Sequence, residues 1–320
     1  MSSLPKDGLV ALTWTFTGVA VALTVGRYAI RWRGFHKFQT DDIIHGLACL
    51  VLIGYCITYT IAFPLNYKVE FFVAGLSNEA PTPAEMDRYF HFIIAVSATF
   101  WIINYLVKFS FLAFYRLIFG VSKEFMVAWW CVFGFTVVTF FVNFISVFWA
   151  CGKAEDLYVM AQCTSPSALK VTAGVVTMWC VLNVISDLTI MALPLWMLKG
   201  LQMKTGQKIG LAVIFLIATI DVIFDILRTI YTVDGGAIAL DTLWDILEPT
   251  ITVMVSALPS YRTLFGDKRK KSTSYKTLDY SGNTRRGDGF QDYELSTSHV
   301  SSIGGAIKSN VTVDTTRLAE

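Results

Sequence analysis

The chain has 320 residues, of which 54% are hydrophobic and 16% charged, and its net charge is +2. A soluble domain carries about 25% charged residues, so together with a mean hydropathy of +0.55 the composition excludes an ordinary soluble globule. The near balance of charge gives no electrostatic footprint for nucleic acid, and no nucleic-acid partner is expected. Charge is also uneven along the chain: long apolar runs fill most of the first 260 residues, and polar residues fill the end.

A helix crossing about 30 Å of hydrocarbon needs roughly 20 apolar residues. Seven segments meet that demand: Leu9 to Tyr28, Ile43 to Phe63, Tyr89 to Tyr115, Met126 to Trp149, Val171 to Leu198, Ile209 to Ile230 and Thr242 to Leu258. The seventh has the weakest hydropathy because it carries Asp245 and Glu248, and six spans is the competing count. The expected fold class is therefore an all-α membrane protein, a seven-transmembrane helix bundle. The short N-terminus, residues 1–8, precedes an apolar run with no small-residue cleavage pattern and reads as a signal anchor. Residues 9–266 form the membrane domain, and residues 267–320, rich in Ser, Thr, Gly and charge, are expected to be disordered.

Orientation follows from the Lys and Arg content of the short loops. With the N-terminus outside, the inner side collects Arg27, Arg31, Arg33, Lys37, Arg116, Lys123, Lys199, Lys204, Lys208, Arg262 and the run Lys268 to Lys271. The outer side holds Lys6, Lys68, Arg88, Lys153 and Lys170. The C-terminal tail is then cytoplasmic. The outer connections are the longer ones, and the first, Pro64 to Arg88, reads as acidic and irregular, with Pro81, Pro83, Glu79, Glu85 and Asp87. Trp101, Trp129, Trp130, Trp149 and Tyr89 fall near helix ends and read as interfacial belts. Pro194 and Pro249 are expected kinks.

Charged residues at bilayer depth face the bundle interior and are functional candidates. On helix three, Ser97, Asn104, Lys108 and Tyr115 share one stripe. On helix five, Asn183 and Asp187 are one turn apart. Asp221, Asp225 and Arg228 share a face of helix six, and Asp241, Asp245, Glu248 and Thr252 share a face of helix seven. Counted at about 1.5 Å per residue, Lys108 and Asp187 lie at similar heights and are expected to form an intramembrane ion pair. Asp225, Arg228, Asp245 and Glu248, with Asp221, form a second layer nearer the outside, expected to line an outward-opening cavity for a small ligand. There the acids outnumber the arginine, which calls for a raised carboxylate pKa or a bound cation. Each layer also has a plain reading as ion pairs and hydrogen bonds that fix helix register.

No CxxC, Cys/His metal spacing, H-E-x-x-H or G-x-S-x-G occurs, so no metal, cofactor or catalytic residue is expected and the chain is not read as an enzyme. Cys151 and Cys163 flank a polar outer segment, and both lie where oxidation is favoured, so a disulfide between them is expected.

Several residues together resemble the fungal rhodopsin-domain integral membrane proteins. They are Arg31, Trp32, Arg33, Asp41 and Asp42 around the first inner loop, and Lys108, Phe114, Tyr115 and Arg116 at the end of helix three. Further matches are Cys151 and Cys163, then Asn183, Asp187 and Pro194, the Asp225 to Arg228 turn, and Trp244, Glu248, Leu258 and Pro259. The resemblance implies seven helices, a fungal source and a receptor-like sensor at the plasma membrane, with a heterotrimeric G protein as a candidate partner. The short N-terminus places the chain with members that lack an outer eight-cysteine domain. Other members accompany secondary-metabolite gene clusters, which keeps a transporter or auxiliary role as the alternative. Retinal is not expected, because its Schiff base needs a Lys on the last helix and Thr242 to Leu258 has none.

Overall fold

The structure is a computed structural model, and it describes residues 6–35, 39–73, 75, 77–149, 166–198, 215, 219–220, 222–230, 238–266, 277–278 and 284–285. The chain divides into two units, Met1–Asp267 and Lys268–Glu320. The described part of the second unit is a pair of two-residue antiparallel strands, with Thr277 opposite Arg285 and Leu278 opposite Thr284. Otherwise the expectation of a disordered tail lies outside the described residues.

The first unit is helical. Its elements are α1 (Lys6–Phe35), α2 (Thr40–Val73), α3 (Pro83–Phe119), α4 (Lys123–Ser146), α5 (Pro166–Leu198), α6 (residues 222–230) and α7 (Ile238–Gly266). A short 3-10 turn, Val147–Trp149, follows α4. Among the described residues, five helices are long and apolar enough to cross a membrane: Asp7–Arg33, Thr40–Val69, Pro83–Phe119, Lys123–Trp149 and Ser167–Leu195. α7 is long enough at 29 residues, but its charged residues keep it out of that set. Side chains on the outside of the bundle suit lipid: Ile43, Leu50, Ile61 and Val127 are exposed apolar residues, with no water-facing role to explain them.

α2 does not end at Pro64. It runs on to Val73, and α3 begins at Pro83, so the connection expected over Pro64 to Arg88 is short. Beyond Pro64 the helix is held by packing: Val69 is buried, and the Tyr67 ring stacks on Phe71 with centres 4.2 Å apart. Pro83 occupies the first turn of α3, where its missing N–H costs nothing. Thr82 caps that turn: its Oγ1 accepts from the Glu85 amide at 3.3 Å, and Glu85 accepts from the Thr82 amide at 2.8 Å. Lys68 near the end of α2 lies 2.9 Å from Glu85 and ties the two helices together.

α2 packs along α3, α1 along α7, and α4 against α3 and α5. The main core contains Leu52, Tyr55, Cys56, Phe100, Trp101, Ile103, Tyr105 and Val253. A second cluster gathers Leu112, Phe114, Tyr115, Phe125, Trp129, Ile190 and Leu193. Two expected belt residues are therefore core: Trp101 and Trp129 are buried, and Trp129 Nε1 donates to the Leu112 carbonyl at 2.8 Å. Trp130 and Trp149 are exposed. The difference lies in neighbours, since two adjacent tryptophans on one helix point to different faces.

α1 buries an unusually polar face: Thr13, Thr17, Thr24, Arg27 and Arg31, interspersed with Leu9 and Ala20. The three threonines donate to carbonyls four residues back at 2.7 to 2.8 Å, and two of them also meet α2: Thr17 Oγ1 lies 3.0 Å from Cys56 Sγ and Thr24 Oγ1 3.1 Å from His45 Nε2. Gly26 on the same helix gives room for Tyr261 of α7. A Cβ there would lie 2.0 Å from the Tyr261 hydroxyl oxygen, which donates to the Leu23 carbonyl at 2.8 Å.

Candidate functional site

The site is built from four helices that each turn one polar face inward. On α5, Asn183, Ser186 and Asp187 occupy neighbouring positions on one face because residues three and four apart lie side by side. Lys108 of α3 meets all three. Its ammonium lies 2.9 Å from Asp187 Oδ1, donates to Asn183 Oδ1 at 2.7 Å and to Ser186 Oγ at 2.5 Å, and sits 5.2 Å from the Tyr105 ring centre. Acceptors and an aromatic face thus stand around the ammonium where water would otherwise be.

Asn183 is a junction. Its Oδ1 accepts from Lys108, and its Nδ2 donates to Asp225 Oδ2 on α6 at 3.2 Å. One turn further along α6, Arg228 reaches α7: its Nε lies 3.2 Å from Asp245 Oδ1 and its Nη1 3.1 Å from Glu248 Oε2. The guanidinium also stacks 4.4 Å from the Phe100 ring centre. Asn104, one turn before Lys108, donates to the other Glu248 oxygen at 3.4 Å. The two layers expected to be separate thus join in one network, because the amides of Asn183 and Asn104 bridge heights that charge counting alone kept apart.

Among the described residues, the network holds four carboxylates, Asp187, Asp225, Asp245 and Glu248, and two cations, Lys108 and Arg228. Burial varies along it. The Glu248 side chain is 2% exposed, whereas Arg228 is 15% and Asp245 31% exposed. The accessible end is therefore where Arg228 meets Asp245. Asp221 lies outside the described residues, as do the side chain of Asp241 and both Cys151 and Cys163. Tyr115 does not join the stripe. It is buried with Phe114, Phe125 and Trp129, seven residues beyond Lys108, where the α3 face has turned from polar neighbours to apolar ones.

Tyr55 of α2 completes the site from the backbone side. Pro249 has no N–H, so the carbonyl of Asp245, four residues earlier, loses its helical donor. The Tyr55 hydroxyl donates to that carbonyl at 2.8 Å.

A second polar cluster was not recognised from the sequence. Arg27 and Arg31 read as loop charges, yet both are buried, as are Asp41 and Asp42. Arg27 Nη2 lies 2.6 Å from Asp41 Oδ2 and its Nε 2.9 Å from Asp42 Oδ1. Arg31 lies 2.9 Å from Asp41 and also donates to Gln39 Oε1. The aspartates occupy the first turn of α2, where negative charge is favoured, and the arginines lie one turn apart near the end of α1. The cluster reaches α7 through Arg27 Nη1, which donates to the Ser256 carbonyl at 2.6 Å, and through Arg31 Nε, which donates to Ser260 Oγ at 3.3 Å. His45 stands beside it, with Nε2 3.1 Å from Thr24 Oγ1 and Nδ1 2.8 Å from Ser256 Oγ. Ser110 of α3 donates to the Asp41 carbonyl at 3.1 Å. The available signal was the spacing of Thr13, Thr17, Thr24, Arg27 and Arg31, which repeats on one helical face.

Comparison with known proteins adds three findings. No solved structure matches the chain. A curated protein named satratoxin biosynthesis SC1 cluster protein 4, from Stachybotrys chartarum, is 23% identical over 187 residues, covering 56% of this chain and 67% of its own length. Residues 26–266 match the fungal rhodopsin domain, a stretch that holds Lys108, Asp187, Arg228, Glu248 and the buried Arg27 cluster, and the chain belongs to the fungal rhodopsin domain family.

Proposed function

We propose that this membrane protein is a non-catalytic, receptor-like sensor with seven spans, in which a small extracellular ligand engages the Arg228–Asp245 end of the buried network. The observation that carries the reading is the contrast between the two acids that share Arg228: Asp245 is 31% exposed and Glu248 2%, so the arginine links an accessible carboxylate to a closed one. A ligand that draws Arg228 away from either acid disturbs Asn104 on α3 through Glu248, and Lys108 through the Asp225–Asn183 bridge. Retinal has no part in it, since α7 carries no lysine. The protein would sit in the plasma membrane with its tail inside, and a heterotrimeric G protein is the candidate partner.

A second reading has one specific support. The similarity to a protein of a satratoxin biosynthesis cluster favours an auxiliary membrane role in secondary metabolism, including transport of a product. The same assay addresses both. Purified protein is screened for thermal stabilisation by small molecules; at one hundred times Kd a ligand contributes about 2.7 kcal/mol. Hits that stabilise the protein but not an Asp245→Asn variant of equal intrinsic stability support the sensor site. Hits indifferent to Asp245 refute it.

A further inference from the structure

α7 contains two prolines, Pro249 and Pro259, and each has a side chain from another helix bound one turn before it. Tyr55 donates to the Asp245 carbonyl, four residues before Pro249, and Arg27 donates to the Ser256 carbonyl, three residues before Pro259. A proline weakens a helix at that turn, because it lacks the N–H and its ring crowds the preceding carbonyls. Tyr55 stands in for the donor that Pro249 lacks, and Arg27 holds the carbonyl next to the one that Pro259 leaves without its helical donor. We propose that α7 is a jointed helix with flexion points at Pro249 and Pro259. Tyr55, Arg27 and Arg31 are the positioning residues that clasp it, so that release from the Arg27 cluster frees residues 256–266 to move.

The arrangement of charge makes such a release feasible. Arg27 and Arg31 are compensated by Asp41 and Asp42, all on α1 and α2. If the inner segment of α7 departs, these four charged side chains keep one another as partners. Among the described residues, the contacts given up include the bonds to the Ser256 carbonyl and Ser260 Oγ, the His45 contact to Ser256 and the Tyr261 bond to Leu23. A cluster that served only as glue would divide its opposite charges between the parts it joins, so that separation would strand each of them at great cost. Here the ion pairs stay whole, and among the described residues this cluster reaches the inner segment of α7 by hydrogen bonds, the kind of contact that permits two discrete arrangements. This clasp stands whether or not the far end of the network takes a ligand.

Hydrogen–deuterium exchange on the purified full-length chain in lipid nanodiscs tests it. Arg27→Lys keeps the charge beside Asp42 but loses the fork that reaches the Ser256 carbonyl. It is expected to speed exchange in residues 256–266 by at least about tenfold, while α2 keeps its protection. Tyr55→Phe is expected to speed exchange around residues 245–253 and leave 256–266 unchanged. Ser260→Ala, a mild change that retains every charge, should move residues 256–266 in the same direction as Arg27→Lys and by less. Faster exchange spread evenly over α1, α2 and α7 identifies the cluster as structural glue and overturns the proposal. So does an unchanged 256–266 segment in Ser260→Ala, which decides the matter if Arg27→Lys does not fold.

Discussion

Replacing Lys108 by Met removes the cation from a nearly closed part of the bundle, where the Lys108 and Asp187 side chains are 6% and 14% exposed. Asp187 then loses an ion pair of 2.9 Å, and Asn183 Oδ1 and Ser186 Oγ lose a donor. Breaking a buried pair by removing one partner costs about 3–5 kcal/mol. For a domain of 150–250 residues each kcal/mol lowers Tm by about 2–4 °C, so the expected fall is roughly 6–20 °C. Asp187→Asn is expected to cost less, because Lys108 keeps the acceptors of Asn183 and Ser186. The exchanged pair, Lys108→Asp with Asp187→Lys, should recover part of the loss. Recovery stays incomplete, since Asn183 Oδ1 and Ser186 Oγ then face a carboxylate. The assay is thermal unfolding in nanodiscs of the parent, Lys108→Asp, Asp187→Lys and the exchanged pair, read as a double-mutant cycle, with Lys108→Met and Asp187→Asn measured beside them. A coupling of about 0.5–3 kcal/mol is expected for residues in contact. Strictly additive losses would refute the pairing as a stabilising contact.

Gly26→Ala should push the Tyr261 ring from its place on α1 and cost about 1–3 kcal/mol; adding Tyr261→Phe should recover little of it if the ring itself collides, and much of it if the hydroxyl alone does. Thr82→Ala removes the cap of α3 and is expected to lower stability by about 1 kcal/mol, measured by the same unfolding assay. Cys151 and Cys163 are expected to be disulfide-linked, and peptide mapping without reduction checks this: recovery of both as free thiols from protein alkylated in intact cells sinks it. The tail is expected to be cytoplasmic, so protease added outside intact cells should leave residues 267–320 uncut, and staining of a tail epitope without permeabilisation refutes that orientation.

That the chain is a membrane protein is legible in its residues alone, because sustained apolar runs over α1 to α5 have no other solvent that suits them. The polar faces of α3, α5, α6 and α7 were legible there too, since period and rise are properties of the isolated helix. That was enough to place Lys108 and Asp187 at one height, and Arg228 beside Asp245 and Glu248. Only the tertiary structure decided which polar faces touch. The bridge through Asn183 depends on an amide with one donor and one acceptor side lying between two helices, and periodicity along either helix carries no trace of it. The burial of Arg27 and Arg31 was equally invisible: Lys and Arg near a helix end are ordinarily loop charges, and their removal from water follows from Asp41, Asp42 and α7 closing over them. Pro64 misled for a related reason. Its effect on an isolated helix is local and disruptive, yet α2 runs on to Val73 because its extension is packed, with Val69 buried and Lys68 paired to Glu85 of α3.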